Sequence, residues 1–496
     1  MKRILSKGLA VVLALAACTG CKSTGGETFH YVNLSQVLCT FLGEENQPLE
    51  ITVKASPADY EVAPGASWLK AEKSEDGKTL TLTVEDNETG AERSTTVTVE
   101  AGQAVQQITV NQLAKDNEFA RYRRLETFQS GAAISPNGKY VGGFVPSIGA
   151  DDSWQYSPTI IDLETGEVYE FGPYPEALYY MTDTMCISDQ GVLFIHDGSN
   201  GGMIVIDTEG NITHPEAPAG YRYKPVISSV SADGKYWVGY AVNEKLGEGG
   251  LNRTLLWIDG VPHELPLPAL NYRDEEFWVG VLGRGISANG EIIYGTSWEN
   301  WDFGMLYWKN EEVNTGQPKW VGHDVREVVP VTMKFGDGTE YETHLVKGCK
   351  CTAENTKVSP NGKWIATKYC EDSVSDDGIS MYTSETPAFY NTETETTVVV
   401  NDYGTGSGVH VTDDGIGFIG LGSFGVTACM VYDLNTGTDL GSMADWVYDT
   451  YGIIIPGSGF ISYVTPDGKS VLGSFPMASA GGVTYVSWYI APPVTE

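Results

Sequence analysis

Short runs in which apolar and polar residues alternate recur along most of this 496-residue chain, and no long stretch has helical periodicity. Alternation with period two places successive side chains on opposite faces of an extended strand, so the pattern predicts an all-β fold. Between residues 29 and 113 the plainest runs are Thr79-Leu-Thr-Leu-Thr-Val84 and Thr95-Thr-Val-Thr-Val99, split by the turn-forming Asp86-Asn-Glu-Thr-Gly90. About 85 residues of this kind suit a small immunoglobulin-like β-sandwich.

From residue 119 to 492 one hairpin recurs. Its copies start at Ser135, Ser188, Ser231, Ser287, Ser359, Thr412 and Thr465, each with glycine three positions on, at 138, 191, 234, 290, 362, 415 and 468. Asn-Gly or Asp-Gly stands at the turn in all but the second copy, and glycine supplies the positive φ that such a turn requires. In most copies a second hairpin follows, as in Thr159–Tyr169, Met203–Ile212 and Met430–Gly437. Two hairpins make a four-stranded blade, and this repeat length is that of a β-propeller, so seven copies predict seven blades. The last copy ends at its third strand, Val486–Ile490, and the stretch Tyr122–Phe128 is expected to supply the missing fourth, which removes two open sheet edges.

The chain opens with Lys2, Arg3 and Lys7 and an apolar run from Gly8 to Ala17, the layout of a secretory signal. That run is shorter than the roughly 20 residues a spanning helix needs. Leu15-Ala16-Ala17-Cys18 resembles the bacterial lipobox, which implies cleavage after residue 17, acylation of Cys18 and a tether over 18–28. The membrane, reached through the lipid on Cys18, is therefore an expected partner, and several acyl chains would anchor the protein stably. An outer-membrane lipoprotein is expected. Thr19-Gly-Cys-Lys-Ser23 lacks the acidic residues usual in surface-exported lipoproteins of Bacteroidetes, so cell-surface and periplasmic exposure both stay open.

Charge narrows the partners. With 65 acidic against 31 basic residues the formal net charge is −34, which excludes a nucleic-acid footprint and favours solubility. Of the eight cysteines, Cys351 and Cys370 flank a hairpin and are the candidate disulfide, with isolated buried thiols as the alternative. Cys349-Lys-Cys351 lacks the spacing of a structural zinc site. The seven scattered histidines form no His-Glu-x-x-His motif, and no cofactor or metal is expected.

Ser67-Trp68-Leu69, Val84 to Asn87, Arg93 and Val110-Asn111-Gln112 together resemble the BACON domain, common at the N-termini of Bacteroidetes surface enzymes and binding proteins. That resemblance implies carbohydrate binding, although Trp68 is expected to serve the core. Residues 114–118 read as a linker. The Ser-x-Asn/Asp-Gly turn followed by a Leu-Trp strand is similar to the extracellular HAF repeat and, more loosely, to WD-type and TolB-like propellers. Adjacent Asp-Gly pairs set it apart from the sialidase Asp-box.

Because strands alternate direction, the short turns share one end of the blades and the long connections share the other. Those connections span 146–158, 172–183, 241–252, 266–282, 297–304, 310–357, 369–386 and 441–458. They make an aromatic rim, with Trp154, Tyr156, Tyr180, Tyr223, Trp278, Trp298, Trp301, Trp446 and Tyr451 as candidate ligand-binding residues. The same connections carry carboxylates such as Asp274, Glu275, Glu276, Glu371, Asp372, Asp377 and Asp445. The expectation is a non-enzymatic, lipid-anchored envelope protein that binds a glycan. Its rivals are a propeller glycoside hydrolase or lyase using two rim carboxylates, and an interaction platform for another envelope protein.

Overall fold

A computed structural model describes residues 30–41, 43–44, 46–89, 93–112, 121–125, 128, 132–148, 154–172, 174–175, 185–197, 202–221, 224–243, 250–299, 302–312, 317–351, 357–422, 428–455, 457–479 and 482–492. The signal segment, Cys18, the tether and the linker at 114–118 lie outside them. The fold is nearly all β: among the described residues there is one α-helix, Met443–Tyr451, and no helix long and apolar enough to cross a membrane. The chain divides into two compact units, Met1–Lys115 and Asp116–Glu496.

In the first unit, two four-stranded sheets share one hydrophobic core. One sheet runs Tyr31–Leu34, Leu49–Ser56, Thr79–Val84, Leu69–Lys73, and the other Leu38–Phe41, Ala104–Gln112, Arg93–Ala101, Glu61–Pro64. Alternation works as read: Leu80, Leu82 and Val84 are buried while the threonines between them are only partly covered. Trp68 packs against this core, and the Arg93 guanidinium lies over its ring at 4.4 Å. Arg93 also donates to Gln112 Oε1 at 2.8 Å, and Gln112 Nε2 and Arg93 both reach the Glu85 carbonyl. Asn87 is fully buried. The residues that carry the BACON resemblance therefore lock the end of two strands together, which is a structural task.

In the second unit, antiparallel sheets follow one another along the chain, each led by a copy of the recurring hairpin. The turn is held by its own side chain. Ser135 Oγ accepts from Tyr140 N at 2.9 Å and donates to Asn137 Oδ1 at 2.7 Å, and Gly138 sits at φ 76°. Ser231, Ser287 and Ser359 repeat this arrangement with Asp233, Asn289 and Asn361. Consecutive turns are bonded to one another: Asn137 N to Asp189 Oδ1 at 2.8 Å, Asp189 N to Ala232 O at 3.1 Å, Ala232 N to Ala288 O at 2.8 Å, Asn289 N to Pro360 O at 3.1 Å and Asn361 N to Asp413 Oδ1 at 2.7 Å. Val464 N then donates to His410 Nε2 at 3.1 Å, and a Cβ on Gly138 would stand 2.9 Å from Thr465 Cγ2, so the seventh turn packs on the first. Tyr122–Arg124 pairs antiparallel with Gly482–Ile490, in the register Ile490↔Tyr122 to Trp488↔Arg124, as its unpaired sequence context required.

Three connections read as loops are ordered otherwise. Residues 327–334 and 340–350 form an antiparallel hairpin, and the strands Trp364–Val374 and Met381–Asn391 continue past the position expected for a blade. Strand 340–350 pairs with residues 368–371 and with Gly304, so two of the repeated sheets merge into one of nine strands. The third departure is the helix Met443–Tyr451, capped by Ser442, whose side chain accepts from Asp445 N. Asp445 thus serves a helix N-terminus, where a carboxylate is favoured.

Candidate functional site

The sharpest feature at the long-connection end lies over the merged sheet. There the loop 271–280 runs along strand 340–350 and is built around Asn271, 1% exposed, whose Oδ1 accepts from Arg273 N at 2.9 Å and Glu275 N at 3.1 Å. This fold of the loop puts Asp274 at φ 62°, a conformation that aspartate tolerates better than most residues. On one flank the Arg326 guanidinium donates to the Tyr272 carbonyl at 2.8 Å and meets Asp274 Oδ1 at 2.6 Å, while the Tyr272 ring packs edge-on against Trp320 at 5.0 Å.

On the other flank a charged network is taken out of water. Arg273, 2% exposed, donates to Thr343 Oγ1 at 3.1 Å and to the His344 carbonyl, and its Nη1 is 3.9 Å from Asp372 Oδ2. Asp372, with a fully buried carboxylate, accepts from Lys350 Nζ at 3.1 Å, Val346 N at 3.0 Å and Thr383 Oγ1 at 2.8 Å. Glu275 Oε1 stands 3.1 Å from His344 Nδ1. Two cations and two carboxylates drawn from three segments therefore hold this loop in one geometry, and buried charges need such partners. Held this way, Trp278 remains 67% exposed. A flat apolar side chain on a fixed loop can receive a ligand without first losing conformational freedom.

The other candidates divide. The backbones of Trp154 and Trp298 begin and end strands at the long-connection end, but their side chains, and Tyr180, Tyr223 and Trp301 entirely, lie outside the described residues. Tyr156 is a correction: at 3% exposure it belongs to a core cluster with Phe144, Ile160 and Met185, because it shares a strand face with Ile160, four residues on, and that face is buried against the next sheet. Trp446 and Tyr451 are corrected by the helix. Trp446 packs edge-on against Phe418 at 5.0 Å and Tyr451 at 5.6 Å, and Tyr451 Oη donates to the Gly468 carbonyl at 2.8 Å, in a turn at the opposite end of the blades. Burial pushes the Tyr451 phenol up to about 12.

Among the described rim carboxylates, Asp274, Glu275 and Asp372 are engaged as above, Glu371 lies 3.7 Å from Lys347, and Asp377 accepts from its own turn. The six described cysteines, Cys39, Cys186, Cys349, Cys351, Cys370 and Cys429, are buried thiols, so the Cys351–Cys370 disulfide is not formed. A polar cleft of about 630 Å³ lies at the short-turn end instead, between the fourth and fifth turns, and is lined by Tyr236, Asn289, Glu291, Lys309, Glu311, Asn361, Lys363 and Glu393.

Sequence reading missed the paired hairpins and the buried network. The signal for the hairpins was present: Ser375-Asp-Asp-Gly378 carries the whole turn motif of the repeats and Phe335-Gly-Asp-Gly338 its Asp-Gly pair. Ser375 Oγ bonds Asp377 Oδ1 and accepts from Ser380 N at 2.9 Å, with Gly378 at φ 75°. The network gave no such signal, since Arg273, Lys350 and Asp372 are far apart in sequence.

Comparison with known proteins assigns no ligand to the chain. No curated protein matches the chain. Similar solved structures include the β-propeller domain of the Trilobed protease from Pyrococcus furiosus, 10% identical with a TM-score of 0.37 over 83% of this chain and 97% of that one. TolB from Acinetobacter baumannii is 12% identical, with a TM-score of 0.28 over 74% of this chain and 86% of that one. A quinonprotein alcohol dehydrogenase-like protein from Bacteroides thetaiotaomicron is 9% identical, with a TM-score of 0.29 over 73% and 94%. Within the first unit, residues 58–113 match the BACON family, described as "Putative binding domain, N-terminal".

Proposed function

We propose that this chain is a lipid-anchored binding protein of the bacterial outer membrane, in which an immunoglobulin-like sandwich carries a seven-bladed β-propeller whose long-connection face takes a glycan. The bonded succession of seven turns, together with strand 122–124 completing the last sheet, supports the ring. The BACON match supports a binding role. The observation that carries the glycan reading is Trp278, exposed on a loop immobilised by buried ion pairs. A sugar ring offers an apolar face that stacks on an aromatic side chain, and such anchors dominate recognition energy. Trp298 and Trp301, in the neighbouring connection of the sequence, extend the same chemistry. Of the carboxylates near Trp278, Asp274, Glu275 and Asp372 are engaged by Arg326, His344 and Lys350, which favours binding over two-carboxylate hydrolysis.

A glycan array followed by calorimetry tests this. Trp278→Ala is expected to weaken the selected glycan by about 2 kcal/mol, roughly 30-fold, with an unchanged circular dichroism spectrum. If the wild type binds no glycan, or if neither Trp278→Ala nor the Trp298→Ala, Trp301→Ala double variant loses affinity, the reading fails; release of reducing sugar would favour the enzyme. For the anchor, Cys18→Ala is expected to shift the protein from the membrane fraction to the soluble one, and unchanged retention refutes lipidation at Cys18.

A further inference from the structure

The two hairpins over the merged sheet end in a common crest. Lys334 N donates to the Gly378 carbonyl at 2.9 Å, which ties the 335–339 tip to the 375–380 tip. Phe335, 54% exposed, stacks on Tyr341 with ring centroids 4.4 Å apart, and Ile379, Met381 and Tyr382 are exposed beside it. Of the fourteen large apolar residues exposed among the described ones, five (Val329, Phe335, Ile379, Met381, Tyr382) lie on these hairpins, a concentration that scattered surface residues do not show.

The border of this apolar crest has one sign. The tips carry Asp337, Glu340, Glu342, Asp376 and Asp377 against a single ammonium, Lys334, which lies 3.8 Å from Glu340. Asp337 accepts from Thr339 N at 2.9 Å, and Asp377 accepts from Ser375 Oγ at 2.5 Å and Ile379 N at 3.1 Å; these bonds hold both carboxyls below the usual range, so they stay ionised. The free edge of strand 327–334 does not invite an added strand, because Pro330, opposite His344, interrupts its donors. Recognition must then use the side chains of the crest.

We propose that this crest docks a protein partner whose contact surface is apolar at its centre and bears lysine and arginine at its rim. A second copy of this chain is disfavoured by the same charges, since acidic borders would face each other. The inference does not depend on glycan binding, and Trp278→Ala is expected to leave it unchanged.

The test uses the full chain and two synthetic peptides with one apolar centre, flanked in one by lysine and in the other by glutamate, read by fluorescence anisotropy. The lysine-flanked peptide is expected to bind at least tenfold more tightly, to weaken as salt rises, and to lose at least tenfold in the Phe335→Ser, Ile379→Ser variant. A Val168→Ser variant, changed at an exposed site on another sheet, should bind like the wild type. A Glu340→Lys, Asp376→Lys variant, which keeps the apolar residues, should shift preference toward the glutamate-flanked peptide. Equal binding of the two peptides, or undiminished binding by the serine variant, would overturn the proposal, as would a wild-type dimer in sedimentation that the serine variant abolishes.

Discussion

Replacing Asp372 by alanine should loosen the Trp278 loop by a mechanism that can be weighed from the structure. The carboxylate is fully buried and accepts from Lys350 Nζ, Val346 N and Thr383 Oγ1 at 3.1, 3.0 and 2.8 Å, with Arg273 Nη1 at 3.9 Å. Removing it leaves two cations, whose side chains are 7% and 2% exposed, without their shared counter-charge. Breaking a buried pair from one side costs about 3–5 kcal/mol. For a unit the size of Asp116–Glu496 that lowers the melting temperature by roughly 5 °C, taking the usual unfolding entropy per residue. Glu371→Ala is the control next door: its side chain is 48% exposed, 3.7 Å from Lys347, and should cost about 0–1 kcal/mol. Calorimetry gives the melting temperatures, and limited trypsin digestion reports the loop, because the Arg273–Asp274 bond is shielded only while Arg273 stays buried. Apolar replacement of all three residues, Arg273→Met, Lys350→Met and Asp372→Leu, should recover much of the loss, since no buried charge is then unpaired. If Asp372→Ala melts with Glu371→Ala and trypsin cuts no faster after Arg273, the loop is not held by this network.

Three further outcomes are expected. A chain starting near Ser130 should melt below one starting near Asn117, since it lacks the strand that pairs with Trp488–Ile490; equal melting temperatures would show that the pairing contributes nothing to stability. Gly166→Ala meets nothing within 4 Å and should cost only the strain of φ 73°, about 1 kcal/mol, whereas Gly138→Ala adds contacts at 2.9 and 3.0 Å with Thr465 and Ser470 and should cost about 1–3 kcal/mol more by urea melts. Burial pushes the Cys39 thiol up to about 11 and raises those of Cys186, Cys349 and Cys429, so iodoacetamide at pH 8 should leave these four unmodified in the native chain and label all six described cysteines after unfolding; peptide mapping that finds Cys351 and Cys370 unlabelled would restore their disulfide.

How far the sequence reaches is set by how local each interaction is. The Ser-x-Asn/Asp-Gly turn closes on itself within six residues, through Ser Oγ, the Asn or Asp side chain and a glycine at positive φ, so it forms wherever it is written. Ser74-Glu-Asp-Gly77 builds the same turn in the first unit and Ser375-Asp-Asp-Gly378 builds it at the tip of the crest, which shows that the motif encodes a hairpin and not by itself a blade. Period-two alternation was equally legible, because burial of one strand face needs only that the next strand lie beside it. Tyr156 shows the limit, since an aromatic near a strand end faces a ligand or the next sheet according to which way the alternation falls. The sequence alone therefore determined the recurring hairpins with their turns, the alternating strands of the first unit and the acidic balance of the chain. The merged sheet, the helix that draws Trp446 and Tyr451 away from the rim, and the burial of Arg273, Lys350 and Asp372 together were decided by tertiary structure, because each depends on segments up to about a hundred residues apart being desolvated against one another, and a charge in sequence carries no mark of the partner that will neutralise it.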